Sequence, residues 1–78
     1  MKKEIYVYRV DATYSDNEND FMYSFYFMTP LPIETQFDRI INLICTEKRV
    51  SFEDLSSNYF DVNIVYAYTI NKQINNHV

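Results

Sequence analysis

Apolar and polar positions alternate along two neighbouring stretches near the start of the chain. Residues 4–14 and residues 21–29 each place an apolar side chain at every second position, a period typical of a β-strand that buries one face. The connecting segment 15–20, Ser-Asp-Asn-Glu-Asn-Asp, has the composition of a turn. The two stretches therefore predict a β-hairpin. The apolar faces consist of Tyr6, Tyr8, Val10, Ala12 and Tyr14 in the first strand, and of Phe21, Tyr23, Phe25 and Phe27 in the second.

The spacing of apolar residues becomes helical after Pro30 and Pro32. Proline has no N–H to give to a strand ladder, and it is well tolerated at the start of a helix. Apolar residues then recur every three or four positions, which predicts a helix over about 32–47. The apolar positions of this helix are Ile33, Phe37, Ile40, Ile41 and Ile44.

A second helix start follows shortly afterwards. Ser51 is followed three positions later by Asp54, and this spacing is a variant of the capping box, in which two side chains satisfy the first free N–H groups of a helix. The pattern predicts a short helix over about 52–58 that ends at Asn58.

The last part of the chain returns to a period of two. Residues 61–72 predict a third strand, and residues 73–78 are expected to fray. With the first strand in the centre, the sheet order is 2-1-3, antiparallel throughout, and the helices cover one face. The sequence thus predicts a single small α+β domain over 1–78, with the element order β-β-α-α-β. One face of the third strand is expected to carry Val62, Ile64, Tyr66, Tyr68 and Ile70.

The composition narrows the range of functions. The 78 residues include eight Tyr and six Phe but no glycine. Loops that bring their backbone against a phosphate depend on glycine, so the common nucleotide-binding loops are excluded. Any positive φ at the hairpin tip also has to come from Asn or Asp.

The net charge disfavours direct binding to nucleic acid. The formal charge is −4, and the seven basic residues are scattered instead of forming a patch. A partner with a basic surface is more natural. Exposed tyrosines can stack on bases, as in sheets that bind single strands, but only Arg9 lies on the strands that carry these rings. The rings in question are Tyr6, Tyr8, Tyr66 and Tyr68.

No pattern of residues predicts an enzyme, a cofactor site or a metal site. His77 is next to last in the chain, and Cys45 lies within the apolar helical pattern, where a small core residue is expected. Acidic residues at alternate positions of 16–20 are similar to the opening of a calcium loop. That loop needs glycine at its sixth position and Glu at its twelfth, which here are Phe21 and Phe27.

A surface for a partner is the strongest functional prediction. The second strand is apolar on both faces, so the sheet has more apolar surface than two helices can cover. Carboxylates are grouped at the hairpin tip and around the short helix, where they would attract a basic surface. The predicted contact residues are Asp16, Glu18, Asp20, Met22, Tyr26, Met28, Glu53 and Asp54.

We expect a small acidic binding protein that occludes a surface on a larger macromolecule. The composition is biased towards residues with AT-rich codons, which fits a phage-encoded inhibitor of a bacterial defence or nucleic-acid-processing complex, acting in the host cytoplasm. No stretch reaches the length of a membrane span. Two alternatives stay open: a homo-oligomeric structural or regulatory module that pairs its sheet edges, and a single-strand nucleic-acid binder.

Overall fold

Three strands form one antiparallel sheet with the order β2-β1-β3, as the sequence predicts. The computed structural model describes residues 2–73, with side chains for residues 3–71. The strands are β1 (Lys2–Ser15), β2 (Asp20–Thr29) and β3 (Tyr59–Gln73). The predicted fraying concerns residues that lie outside this part of the chain, apart from Gln73, which ends β3.

The predicted first helix is divided into two pieces. A 3-10 turn covers Ile33–Thr35, and helix α1 covers Phe37–Lys48. Gln36 separates them with φ −109° and ψ 4°, which is not helical. Helix α2 covers Phe52–Ser57 and begins with the predicted capping box: the backbone N–H of Asp54 donates to Ser51 Oγ, and that of Ser51 donates to Asp54 Oδ2, both at 3.0 Å.

Helix α1 packs on one face of the sheet and lies towards β2. The guanidinium of Arg39 is 5.9 Å from the centre of the Phe27 ring, and Lys48 Nζ is 4.8 Å from the centre of the Tyr23 ring. The sulfur of Cys45 belongs to this layer and is partly buried against the core, and burial raises its pKa. The buried core residues are Val10, Ala12, Tyr14, Phe27, Ile40, Ile41, Ile44 and Leu55.

A β-bulge corrects the predicted face of β3. Tyr8 pairs with Tyr66 while Val7 pairs with Tyr68, so Ala67 is an extra residue in the ladder. An extra residue inverts the alternation beyond it. Tyr68 and Ile70 therefore lie on the face opposite to the helices, and the prediction that they share a face with Val62, Ile64 and Tyr66 is wrong.

The sheet narrows to a two-stranded ribbon at one end. The pairing of β1 with β2 stops at Tyr6 and Thr29, whereas its pairing with β3 continues to Lys2 and Gln73. The described chain is consequently elongated, with extents of 57 by 20 by 19 Å. The hairpin tip and α2 lie at the other end.

Arg49 is the one residue with positive φ among residues 2–73, at φ 57° and ψ 44°. It ends α1 in the left-handed conformation, and the next N–H, that of Val50, donates to the Cys45 carbonyl at 3.1 Å. The hairpin tip, where Asn or Asp was the expected source of any positive φ, has none. A chain without glycine thus places an arginine where glycine is the usual residue.

Substitution of Arg49 by glycine is expected to stabilise the protein by about 1 kcal/mol, because the left-handed conformation is costly for residues with a Cβ. Chemical denaturation measures the free energy of unfolding. Arg49→Ala is the control: it removes the charge, keeps the Cβ and should give no comparable gain. Equal effects of the two substitutions would show that the side chain, and not the backbone, is responsible.

Candidate functional site

One face of the sheet has no helix over it, and we call it the open face. It carries every second side chain of each strand, on the side away from α1 and α2. Its members are Ile5, Val7, Arg9, Asp11 and Thr13 of β1, Met22, Ser24, Tyr26 and Met28 of β2, and Asp61, Asn63, Val65, Tyr68 and Ile70 of β3.

The open face is apolar in the half that adjoins the ribbon. Met28 and Tyr68 flank Val7, and Val7 is only 1% exposed although no helix covers it. Met28 is 61% exposed and Tyr26 is 60% exposed. A closely packed apolar surface that remains in contact with water is typical of protein contact sites.

The predicted contact residues of β2 therefore lie together on an accessible surface. Met22, which is 83% exposed, lies nearer the hairpin tip, and Tyr26 and Met28 lie in the apolar half. The predicted contact residues did not include Val65, Tyr68 and Ile70, and the bulge at Ala67 is needed to bring the last two to this surface. The sequence of β1 did indicate that the open face is partly apolar, because Ile5 and Val7 occupy the face opposite to Val10.

A polar row crosses the middle of the open face. Arg9 Nε donates to Asp11 Oδ1 at 3.1 Å, and Ser24 Oγ also donates to this oxygen. The Ser24 hydroxyl and the Arg9 guanidinium lower the pKa of Asp11. Because the two charges compensate each other, the row carries no net charge and divides the apolar half from the end near the hairpin tip.

The structure brings the two predicted acidic groups to the same end of the sheet. The buried hydroxyl of Tyr14 donates to Asp16 in the hairpin tip and accepts from Asn58 Nδ2, at 3.1 Å, at the end of α2. Asn58 Nδ2 also donates to the Asp54 carbonyl at 2.9 Å. Tyr14 thus connects the hairpin tip to the short helix.

Three of the five predicted contact carboxylates stabilise the local structure. Asp16 Oδ1 accepts the N–H groups of Glu18 and Asn19, at 2.7 and 2.6 Å, and closes the turn. Ser15 Oγ donates to Asp20 at 2.7 Å, and Asp54 caps α2. The side-chain carboxylates of Glu18 and Glu53 are exposed and form no hydrogen bond or ion pair with the described residues.

The resemblance of 16–20 to a calcium loop has a structural explanation in this turn. Both oxygens of Asp16 already accept hydrogen bonds from the protein, and the Tyr14 hydroxyl and the two backbone N–H groups lower its pKa. Among residues 2–73, no three His, Cys, Asp or Glu side chains are grouped closely enough to hold a metal ion.

The tyrosines considered for base stacking do not form one platform. Tyr6, Tyr8 and Tyr66 lie on the helix side near the ribbon, where the rings of Tyr8 and Tyr66 meet edge to face with centres 5.8 Å apart. Tyr68 lies on the open face. Arg9 is also on the open face and is paired with Asp11. The observed strands are longer than predicted and also contain Lys2, Lys3 and Lys72, which lie in the ribbon.

A second apolar surface lies on the helix side and was missed from the sequence. A groove of about 360 Å³ runs between the two helices and β3. Helix α1 lies towards β2, so the helix side of β3 is only partly covered. This groove explains the exposure of Phe37, which the helical period assigned to the apolar face of its helix, and of Phe52. Its apolar lining comprises Phe37, Ile41, Phe52, Leu55, Phe60 and Val62.

Comparisons with known proteins give no relative: no protein-family model matches the sequence, and neither curated proteins nor solved structures yield a match. No helix within residues 2–73 is long and apolar enough to cross a membrane.

Proposed function

We propose that this chain is a binding protein without catalytic activity, which covers a surface of a larger macromolecule with its open face. The observation that carries the proposal is the apolar half of that face, where Tyr26 and Met28 are each about 60% exposed around the closely packed Val7. Methionine and tyrosine give large contact areas, and methionine adapts its shape to a partner.

The bias towards AT-rich codons favours a bacterial or phage origin, so a bacterial complex is the proposed target and an inhibitor is the proposed role. A chain that buries an essential surface needs no reactive group of its own. It needs only an interface of ordinary size, about 800 Å² from each partner, and the open face of a three-stranded sheet of this length can provide that area.

Substitution of Met28 by lysine is expected to abolish capture of the partner from a bacterial lysate. A lysine buried without a counter-charge in an apolar contact costs several kcal/mol, whereas Met28 is exposed in the free chain and its substitution leaves the fold intact. Capture on the immobilised chain, followed by mass spectrometry, measures the effect.

Leu43→Lys is the matched control, because Leu43 is 48% exposed on α1, on the opposite side of the molecule. Support for the proposal is a set of proteins captured by the wild type and by Leu43→Lys but lost with Met28→Lys, while circular dichroism shows that both variants are folded. Equal capture by the two lysine variants would refute a role of the open face.

The acidic end of the sheet is proposed to steer the chain towards a basic surface. Glu18 and Glu53 are the carboxylates that serve no local structural purpose, so their reversal to lysine tests steering without disturbing the turn. The association rate with the captured partner should fall about tenfold at low salt and much less at high salt, since screening weakens long-range attraction. An association rate that changes neither with the charge reversals nor with the salt concentration would contradict electrostatic steering.

A further inference from the structure

β3 is the least buried strand of the sheet. Among residues 59–71, every residue of β3 is partly or fully exposed, whereas β1 buries Val7, Val10, Ala12 and Tyr14. β3 is also an outer strand, and no described segment pairs with its outer edge. Its backbone donors and acceptors along that edge are therefore available to another strand.

Apart from the bulge at Ala67, the edge lacks the features that usually protect an outer strand. Natural proteins shorten such strands or place charges and prolines on them. β3 has 15 residues and no proline, and Asp61 is the one charged residue between 59 and 71. β2, the other outer strand, has 10 residues, is followed by Pro30, and has Arg39 and Lys48 over its rings.

The groove on the helix side lies along this same strand. Phe60 and Val62, which point towards the helices, line it together with Phe37 and Phe52. A fourth strand about 4.8 Å from β3 would extend the sheet beside this groove.

We infer that β3 of a second copy of this chain occupies the edge. A two-fold axis perpendicular to the sheet makes the two β3 strands antiparallel and joins the copies into a six-stranded sheet, with the order β2-β1-β3-β3-β1-β2. Both helix pairs then lie on one side, and the two open faces form one continuous surface on the other. This inference is independent of the proposed function.

The bulge at Ala67 selects the register of this pairing. In an antiparallel pair of identical strands, the two residue numbers of every opposed pair add up to the same sum. Residues before Ala67 oppose residues after it, and the alternation is inverted beyond Ala67. Opposed side chains therefore point to the same face only if this sum is odd. A sum of 133 pairs nearly the whole strand, from residue 60 to residue 73, and keeps opposed side chains on the same face. Val65 of one copy then lies opposite Tyr68 of the other, and Asn63 lies opposite Ile70.

Charge favours a second copy as the occupant. β3 contains one acidic and one basic residue, Asp61 and Lys72, in a chain whose net charge is −4, so two copies meet there with little repulsion. The register with the sum 133 pairs Asp61 of one copy with Lys72 of the other.

Sedimentation equilibrium tests the inference, and the wild-type chain is expected to be a dimer at micromolar concentration. The variants V65K/Y68K and V65E/Y68E each place like charges opposite one another, so each alone should weaken the dimer at least a hundredfold. An equimolar mixture of the two should restore dimers. The control M28K, on β2, should dimerise like the wild type, although it is expected to lose the partner of the open face.

Disulfide formation tests the register and does not depend on the charged variants folding. In a Cys45→Ser background, Val65→Cys and Tyr68→Cys chains should form a mixed disulfide when combined, because directly opposed residues lie about 4.5–5.5 Å apart and within bonding range. Each variant alone should form little. A wild-type chain that is monomeric at 100 μM, or a dimer that survives both like-charge variants, would overturn the inference.

Discussion

Replacing Ile44 by alanine is expected to destabilise this protein by about 2–5 kcal/mol. Ile44 is 0% exposed, and it belongs to α1 and to the same buried core as Val10 and Ala12 of β1. Alanine is a better helix former than isoleucine, so the loss has to come from packing. Since a domain of this size has a total stability of about 5–15 kcal/mol, a large part of the population is expected to unfold on mild heating.

Leu43→Ala is the matched control, one position away on the same helix. Leu43 is 48% exposed, so its truncation should change the free energy of unfolding by less than about 1 kcal/mol. Urea denaturation followed by circular dichroism measures both variants. Similar losses would mean that α1 does not bury its isoleucines as the structure describes.

The difference in burial between Ile44 and its neighbour Leu43 shows why the fold could be predicted from the sequence. The helical period placed Ile40, Ile41 and Ile44 on one face of a helix, and alternation placed Val10, Ala12 and Tyr14 on one face of a strand. Local periodicity and the hydrophobic effect select the same residues. The capping box at Ser51 is similarly local, and it was found where the sequence predicted it.

The features that the sequence did not reveal depend on contacts between distant residues. Apolar side chains continue at every second position from Val62 to Ile70, so nothing in β3 alone marks Ala67 as an extra residue. The bulge becomes necessary only when β3 is paired with β1, where it places Tyr68 beside Val7 and Ile70 beside Ile5. The extent of the open face could not be predicted without that pairing.

The acidic residues illustrate the same limit. Asp16 and Asp54 were identified as surface charges for a partner, and both lie at the expected end of the sheet. Their roles in closing a turn and capping a helix are local, and the capping role was anticipated. The link between the two groups was not, because it depends on a hydrogen bond from Asn58 to Tyr14, 44 positions apart in the chain.

Removal of the Tyr14 hydroxyl is the second large effect that we expect. Tyr14→Phe keeps the ring stacked on Phe21, with centres 5.0 Å apart, and deletes the hydroxyl that joins Asp16 to Asn58. Asn58 keeps its bond to the Asp54 carbonyl, and Asp16 keeps its two backbone donors. The melting temperature should therefore fall by about 5 °C or more at neutral pH, without loss of the fold.

The pH dependence identifies this contact specifically. The pKa of Asp16 is lowered from its ordinary value of 3.8, chiefly by the Tyr14 hydroxyl. A carboxylate with a lowered pKa adds stability above the pKa of the unfolded chain and loses it as the pH falls through the folded pKa. The Asp16 carboxylate raises the pKa of Tyr14 from 10.0 to about 12, so the contribution of the tyrosine is lost as the pH rises through that range.

The contact should therefore stabilise the protein on a plateau between about pH 4 and pH 10. Asp16→Asn is the matched control, because it keeps an oxygen for the backbone donors and removes the titrating charge. The difference in melting temperature between the wild type and Asp16→Asn should be constant on the plateau. It should shrink as the pH falls below about 4 and through the lowered pKa of Asp16. The melting temperatures of the two proteins could instead fall in parallel as the pH is lowered. In that case Asp16 is not a carboxylate stabilised by Tyr14, and the hairpin tip and α2 are coupled in some other way.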